Sequence, residues 1–507
     1  MKGKNIISVK NILCAVALLA ASTAVMTSCD EDENEEKSPE YNWTTDGGLN
    51  ACDNLLFEGN VIGNGDQEFV FTGKQTLKKG TYLLKGWVYI ADGATLTIEP
   101  GTVIKGDKET KAALIVERGG QLYAQGTAKN PIVFTSEAEA GNRKPGDWGG
   151  VILCGKAQNN QTEMQIEGGP RTKHGGNDNA DCSGALQYVR IEFAGYPFAA
   201  DKEINGLTLG SVGSGTTIDH IQVSYCNDDS YEWLGGTVNC RYLVAYHGWD
   251  DEFDTDNGFS GKVQFALSVR DPKLADTSRS NGFESDNCAD GSQVSPYTTA
   301  VFSNVTFIGP RCYAGFENTT DYINGGEVYP NNGSSLGLFQ AAMHIRRSSR
   351  LSCFNSVAVG YPIGIILDNE KGNTQGFASA GEMQLQNIWM ANMGILGSDF
   401  NKIYTDGLYD YATKTVDATK NSFSHDFFLA QTGNKEVSLN DLSLTDPTGK
   451  VGVAYAPSAS SPLLGAATFT SNLLSSGFDK VSYIGAFSDG DDWLDSWTEF
   501  DPENAAY

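Results

Sequence analysis

Apolar and polar residues alternate in short runs along most of this chain, and Gly-rich corners separate the runs. Thr95-Leu96-Thr97-Ile98 is followed by Val103-Ile104, Ala113-Leu114-Ile115-Val116, Gln121-Leu122-Tyr123-Ala124 and Pro131-Ile132-Val133-Phe134-Thr135. Period-two alternation over four or five residues, bounded by turn formers, predicts β-strands. Helix-period stretches are scarce; Phe400 to Tyr411 is the exception. A longer repeat overlies the strands. Ile221-Gln222-Val223-Ser224-Tyr225 lines up with Tyr242-Leu243-Val244-Ala245-Tyr246 after 21 residues, and Val263-Gln264-Phe265-Ala266-Leu267 follows after another 21. One dominant strand per period of that length predicts an all-β solenoid, a parallel β-helix. A propeller needs a period of about 40 with four strands in each. Val223, Val244 and Phe265 are then expected to stack on one inner face.

The first 28 residues break this pattern. Lys2, Lys4 and Lys10 precede an apolar stretch from Ile12 to Met26, too short to span a membrane comfortably and fitting a secretory signal. Val25-Met26-Thr27-Ser28-Cys29 resembles a bacterial lipobox, which implies lipidation of Cys29. Asp30-Glu31-Asp32-Glu33-Asn34-Glu35-Glu36 follows, a self-repelling run expected to stay extended as a tether. Its place directly after the lipidated Cys resembles the surface-export signal of Bacteroidota lipoproteins. That implies an outer-membrane location, lipid-anchored and facing the extracellular side. The chain has 63 acidic and 36 basic residues, a formal charge of −27, which argues against a nucleic-acid partner. Eight cysteines remain after Cys14 and Cys29, an even number that permits disulfides in an oxidising compartment.

Ala94-Thr95-Leu96-Thr97-Ile98-Glu99-Pro100-Gly101-Thr102, Asn130-Pro131-Ile132-Val133-Phe134-Thr135-Ser136 and Gly146-Asp147-Trp148-Gly149-Gly150 resemble the opening coils of right-handed parallel β-helix lipoproteins of Bacteroidota. His344 to Leu351 and Ser482 to Phe487 fit the same pattern. The resemblance implies an all-β, right-handed solenoid with N- and C-terminal caps. The expected organisation is a signal peptide over 1–28, an acidic tether over 29–44 and an N-terminal cap over 45–80. The β-helix runs over 81–396, an irregular insertion over 397–460 and a C-terminal cap over 461–507.

The candidate site is acidic. Four corners carry an aromatic residue followed by an acid: Tyr231-Glu232, Phe253-Asp254, Phe283-Glu284 and Phe316-Glu317. Equivalent positions in a parallel β-helix stack about 4.8 Å apart, a separation at which like charges repel unless protons, hydrogen bonds or a cation compensate. Hard oxygen donors with few His nearby favour Ca²⁺, with Asp229, Asp250, Asp251 and Asp254 as candidate ligands. The alternative reading of the same acids is as turn formers that bond their own backbone.

The pattern Asp229, then Asp250-Asp251-Glu252-Phe253-Asp254, also resembles calcium-dependent pectate lyases of polysaccharide lyase family nine. That resemblance implies a Lys near Gly282-Phe283 as the base; this chain has Asn281 there. Glu232, Glu284, Glu317 and Arg346 are candidate ligand-binding residues, and Trp233 and Trp249 are candidates for stacking on sugar rings. Two functions follow. One is a surface lipoprotein whose calcium-stabilised β-helix binds a glycan, a polypeptide or a partner such as an outer-membrane transport protein. The other is a carbohydrate-active enzyme, a lyase or a glycosidase.

Overall fold

The computed structural model describes residues 43–46, 49–161, 164–166, 171–199, 202–324, 337–450 and 452–507. The leader, Cys29 and the acidic run lie outside the described residues. Among the described residues no helix is long and apolar enough to cross a membrane.

The strands wind as parallel coils. Trp87–Ile90, Thr95–Ile98 and Val103–Gly106 make one turn, and Ala113–Val116, Gln121–Gln125 and Ile132–Ser136 the next. Leu114 lies opposite Val88, Leu122 opposite Leu96 and Phe134 opposite Ile104, all in parallel register. Alternation does the sorting: Leu96 and Ile98 are buried while Thr95 and Thr97 are half-buried. Repeated coil after coil, this gives two sheets of 13 and 16 strands among the described residues, parallel except for their first pairs, enclosing one continuous apolar core.

From Gly184–Glu192 onward two strands of each coil fuse into one longer, bent strand. The bend falls on a residue in the left-handed conformation: Tyr188, His220, Tyr242, Phe265, Asn304, Asn355 and Asn387, with φ between +48° and +60°. Left-handed backbone is costly for residues with a Cβ, less so for Asn. The first four rungs offset this by stacking, with ring centroids 4.3, 4.3 and 5.0 Å apart. The last rungs offset it with hydrogen bonds: the Asn387 amide donates to Asn355 Oδ1 at 2.8 Å.

This bend corrects the expected register. Ile221 lies opposite Leu243, and Leu243 opposite Ala266, spacings of 22 and 23 residues rather than 21. Val223, Val244 and Phe265 share one parallel sheet but not one face. Val223 enters the lumen, Val244 packs outside against the C-terminal segment, and Phe265 sits at the bend on Tyr242. Coils here differ in length by a residue, and a one-residue slip reverses the face.

Both sheets begin in antiparallel pairs, Trp43–Asp46 with Leu49–Cys52 and Leu56–Phe57 with Val61–Ile62, which close edges that would otherwise template further strands. At the far end Lys435–Val437 pairs with Leu385–Ala391, and the helix Phe423–Ala430 buries Phe428 in the core. The end is thus closed by part of the expected insertion. Residues 461–507 are not an end cap but a strap that returns along the flank. Asn387 bonds the carbonyl of Ala466, Asn355 that of Thr468, Asn304 that of Tyr483, Gln222 that of Glu499 and Arg143 those of Pro502 and Ala505. Phe400 to Tyr411 is not a helix. The Asp399 carboxylate accepts the amides of Tyr409, Phe423 and Ser424 and folds the segment as a loop, in which Leu408–Asp410 pairs with Thr415–Asp417. None of the eight cysteines described is bridged; Cys52, Cys154, Cys226, Cys240 and Cys353 are core residues.

Candidate functional site

Three of the four aromatic–acid corners fall in register on the 13-stranded sheet. Tyr231, Phe253 and Phe283 point inward and are fully buried, with Tyr231 and Phe253 stacked at 5.6 Å. That packing fixes their successors on the outer face, where Glu232 lies opposite Asp254 and Asp254 opposite Glu284. The next rung is not Phe316-Glu317. Phe316 packs on Tyr322 and Phe339 in a loop, and Glu317 is exposed away from the ladder. Met343-His344 takes the rung instead, with His344 opposite Glu284.

The ladder's charges are unequal. Burial would raise the Glu284 carboxyl, but the Arg346 guanidinium and His344 outweigh it and hold it at about 2. His344 Nδ1 is 3.2 Å from Glu284, and its Nε2 is 3.8 Å from Asp368. Burial disfavours the His344 cation, yet Asp368 and Glu284 together raise its pKa. Arg346 also bonds Asp286 at 2.9 Å, and Arg347 bonds the other Asp286 oxygen at 2.6 Å. Asp254 has less help: the Arg346 charge reaches it, but no cation bonds it among the described residues. Burial, then Glu284 and Glu232, push its carboxyl well above the usual range, and its Oδ1 is buried without a hydrogen-bond partner.

A second series lies at the preceding corner. Asp229 Oδ1 accepts the Asp251 amide at 2.8 Å, Asp251 Oδ1 accepts the Asn281 amide, and Asn281 Oδ1 accepts the Ala341 amide at 3.0 Å. These bonds run from coil to coil, over 22 residues for Asp229 and 30 for Asp251, rather than to each acid's own turn. Beside it, oxygens of Asp228, Asp229 and Asp250 all lie within 4.8 Å of one another. Asp250 Oδ2 takes the Ser278 hydroxyl, while its Oδ1 is buried without a hydrogen-bond partner. Burial and the Asp276 charge push the Asp250 carboxyl up to about 8. Of the four ligands expected, Asp229 and Asp250 come together and Asp228 completes the group. Asp251 is committed to backbone, and Asp254 belongs to the ladder. Three oxygen donors, one aimed nowhere else, fit a hard divalent cation such as Ca²⁺.

A family model for a pectate-lyase-like β-helix domain matches residues 70–435. The chain belongs to that family. No curated protein matches it. Among solved structures, the crystal structure of the Dettilon tailspike protein is similar at 12% identity and a TM-score of 0.24, over 66% of this chain. The chain spans 61% of that tailspike.

Three cations near the acidic group of this pectate-lyase-like β-helix are engaged. Arg270 is fully buried, 3.1 Å from Glu252 and bonded to the carbonyls of Trp249 and Asp250. Lys273 donates to the Tyr322 carbonyl at 2.7 Å, and Arg279 to the Tyr404 hydroxyl at 3.1 Å. Among the described residues, none of these three is a basic side chain standing free over the acidic group. Trp233 and Trp249 are wholly buried, Trp233 stacked on Phe259 at 5.4 Å, so neither offers a face to a sugar. His344 and Asp368 were missed; the alternation in Ala341-Ala342-Met343-His344-Ile345, with Arg346 directly after it, was the available signal. Asp228 stood beside a named ligand, in Asn227-Asp228-Asp229.

Proposed function

We propose that this chain is a surface-exposed outer-membrane lipoprotein whose calcium-stabilised β-helix binds a glycan, a polypeptide or a partner protein. The observation that carries the calcium reading is the Asp228–Asp229–Asp250 group with its orphaned Asp250 oxygen. Stacked carboxylates cost stability unless compensated, and a cation there converts the repulsion into cross-coil ligation. The Ser28-Cys29 junction and the acidic run after it support the location. The engaged state of Arg270, Lys273 and Arg279 weighs against the lyase alternative, because elimination needs a free base beside the metal.

The test is a pair of melting curves, in calcium and in chelator. At a hundredfold excess over Kd the metal adds about 2.7 kcal/mol. Asp250→Asn should abolish that difference while leaving the metal-free form as stable as metal-free wild type or more so. Equal wild-type midpoints in the two buffers end the calcium reading.

A second reading, a glycosidase, has one specific observation in its favour. Asp254 and Glu284 are register neighbours, one driven toward its protonated form and the other held ionised. Divergent carboxyls about 5 Å apart are the pairing a retaining hydrolase uses. Release of reducing sugar from an oligosaccharide panel, lost in Glu284→Gln, would establish it; no release from any substrate removes it.

A further inference from the structure

Away from the acidic ladder, two adjoining cavities of about 710 and 590 Å³ lie among the loops that follow the early strands of the 13-stranded sheet. They share Arg118, Lys173 and the Gly175–Asn177 wall. In the larger one opposite charges are paired: Arg171 with Glu117 at 2.9 Å and Lys156 with Asp92 at 3.5 Å. Among the described residues the smaller one has no carboxylate in its lining. In a chain with 63 acids and 36 bases that is a local reversal of composition. Arg118 donates to the Gly175 carbonyl at 3.0 Å, and neither it nor Lys173 pairs with an acid among the described residues.

The rest of the smaller cavity is neutral and rich in hydrogen-bonding groups. Gln158, Asn159, Gln161 and Asn177 contribute four amides, and only Met164 and Pro296 are apolar. His174 also lines it, with 4% of its surface exposed. Its Nδ1 lies 2.8 Å from Ser211 Oγ, which already accepts the Asn159 amide. The Ser211 hydroxyl hydrogen can go to Nδ1 or to the Leu234 carbonyl, 3.5 Å away; when it goes to Nδ1, Nε2–H is left as a donor. That Nε2 is buried and has no hydrogen-bond partner. Burial, and then the Arg118 charge, hold the imidazole neutral. The ring can sit there because position 210 is Gly; a Cβ would come within 2.7 Å of it. Gly210 is in register with Leu234, and Leu234 with Asp256.

We propose that this cavity is a calcium-independent subsite for an anionic glycan, a saccharide bearing carboxylate or sulfate groups. Unpaired cations select the anion. Amides, which both donate and accept, match hydroxyls. The scarcity of apolar anchors disfavours a polypeptide, whose binding concentrates in buried aromatic and aliphatic contacts.

The test is titration calorimetry of the full chain in chelator, which keeps the outcome separate from the calcium reading. The probes are a heparin-derived oligosaccharide for sulfate, an oligogalacturonate for carboxylate, a neutral glucan oligomer and polyglutamate. One or both anionic glycans should bind, more weakly as salt rises, while the neutral glucan does not. The double variant Arg118→Glu/Lys173→Glu should raise Kd at least tenfold. Lys173→Glu alone, whose side chain bonds nothing among the described residues, should show a smaller loss in the same direction with an unchanged melting point. The proposal is overturned if neither anionic glycan binds, if charge reversal leaves Kd unchanged, or if the neutral glucan or polyglutamate binds as tightly.

Discussion

The bend stack on the 16-stranded sheet and the acidic ladder on the 13-stranded sheet both repeat one chemistry coil after coil. They differ in whether the repeat can satisfy itself. Rings stack on rings from Tyr188 to Phe265, and Asn387 and Asn355 bond each other and the strap. Each added rung lowers the energy of the last. Carboxylates do the opposite: Asp254 is made costlier by Glu284 and Glu232, and Glu284 stays ionised against its burial because Arg346 and His344 escort it. A stack that stabilises itself is explained by folding. A stack that does not is explained by something brought to it, a proton or a cation.

The sharpest break of this contrast is Asn355→Ala. Asn355 Oδ1 accepts from Asn387 and from the Thr468 amide, and its amide donates to the Thr468 carbonyl. Losing these buried bonds and placing Ala at φ +49° should cost about 3 kcal/mol. Urea denaturation measures it, and a cost under about 1 kcal/mol would demote the Asn rungs to spacers.

A smaller effect comes from pH, measured in chelator. Asp250 binds its proton more tightly folded, at about 8, than unfolded, near 4. Its contribution is present below pH 4 and is lost as pH rises toward 8. Glu284 runs the other way: its contribution is present above its unfolded value near 4.5 and is lost as pH falls toward 2. The metal-free protein should therefore be most stable near pH 4 to 5, and calcium should flatten the decline above it. A metal-free optimum at pH 7 to 8 would contradict the uncompensated burial of the Asp250 carboxyl.

The smallest effect is Glu317→Ala. An exposed acid outside the ladder should change stability by less than about 0.5 kcal/mol and leave the calcium response intact.

The strands and their parallel coiling were legible because alternation in runs such as Thr95 to Ile98 is a local property. The register was not. Spacings of 22 and 23 residues place His220, Tyr242 and Phe265 together, and a fixed lag of 21 sees Ile221 against Tyr242 instead. The aromatic series at the bend, continued as Asn304, Asn355 and Asn387, carried the true register. Three acid rungs were readable as aromatic–acid pairs, since burial of the ring forces the acid outward. Phe316-Glu317 has the same two letters but no strand around it. The burial of Trp233 and Trp249 was hidden because a large ring reads alike on either face until its coil is threaded.

The strap changes how such a solenoid comes apart. In a plain repeat array each coil contacts only its neighbours, so the ends fray and stability adds up coil by coil. Here residues 466–505 touch the coil of Asn387, then those of Asn355, Asn304 and Gln222, and finally Arg143. Opening a terminal coil therefore strips contacts whose other members lie several turns away. The thermodynamics becomes that of one cooperative body rather than a one-dimensional chain. Amides at the two ends of the strapped coils, near Arg143 and near Asn387, should exchange with deuterium at similar rates, through the same opening.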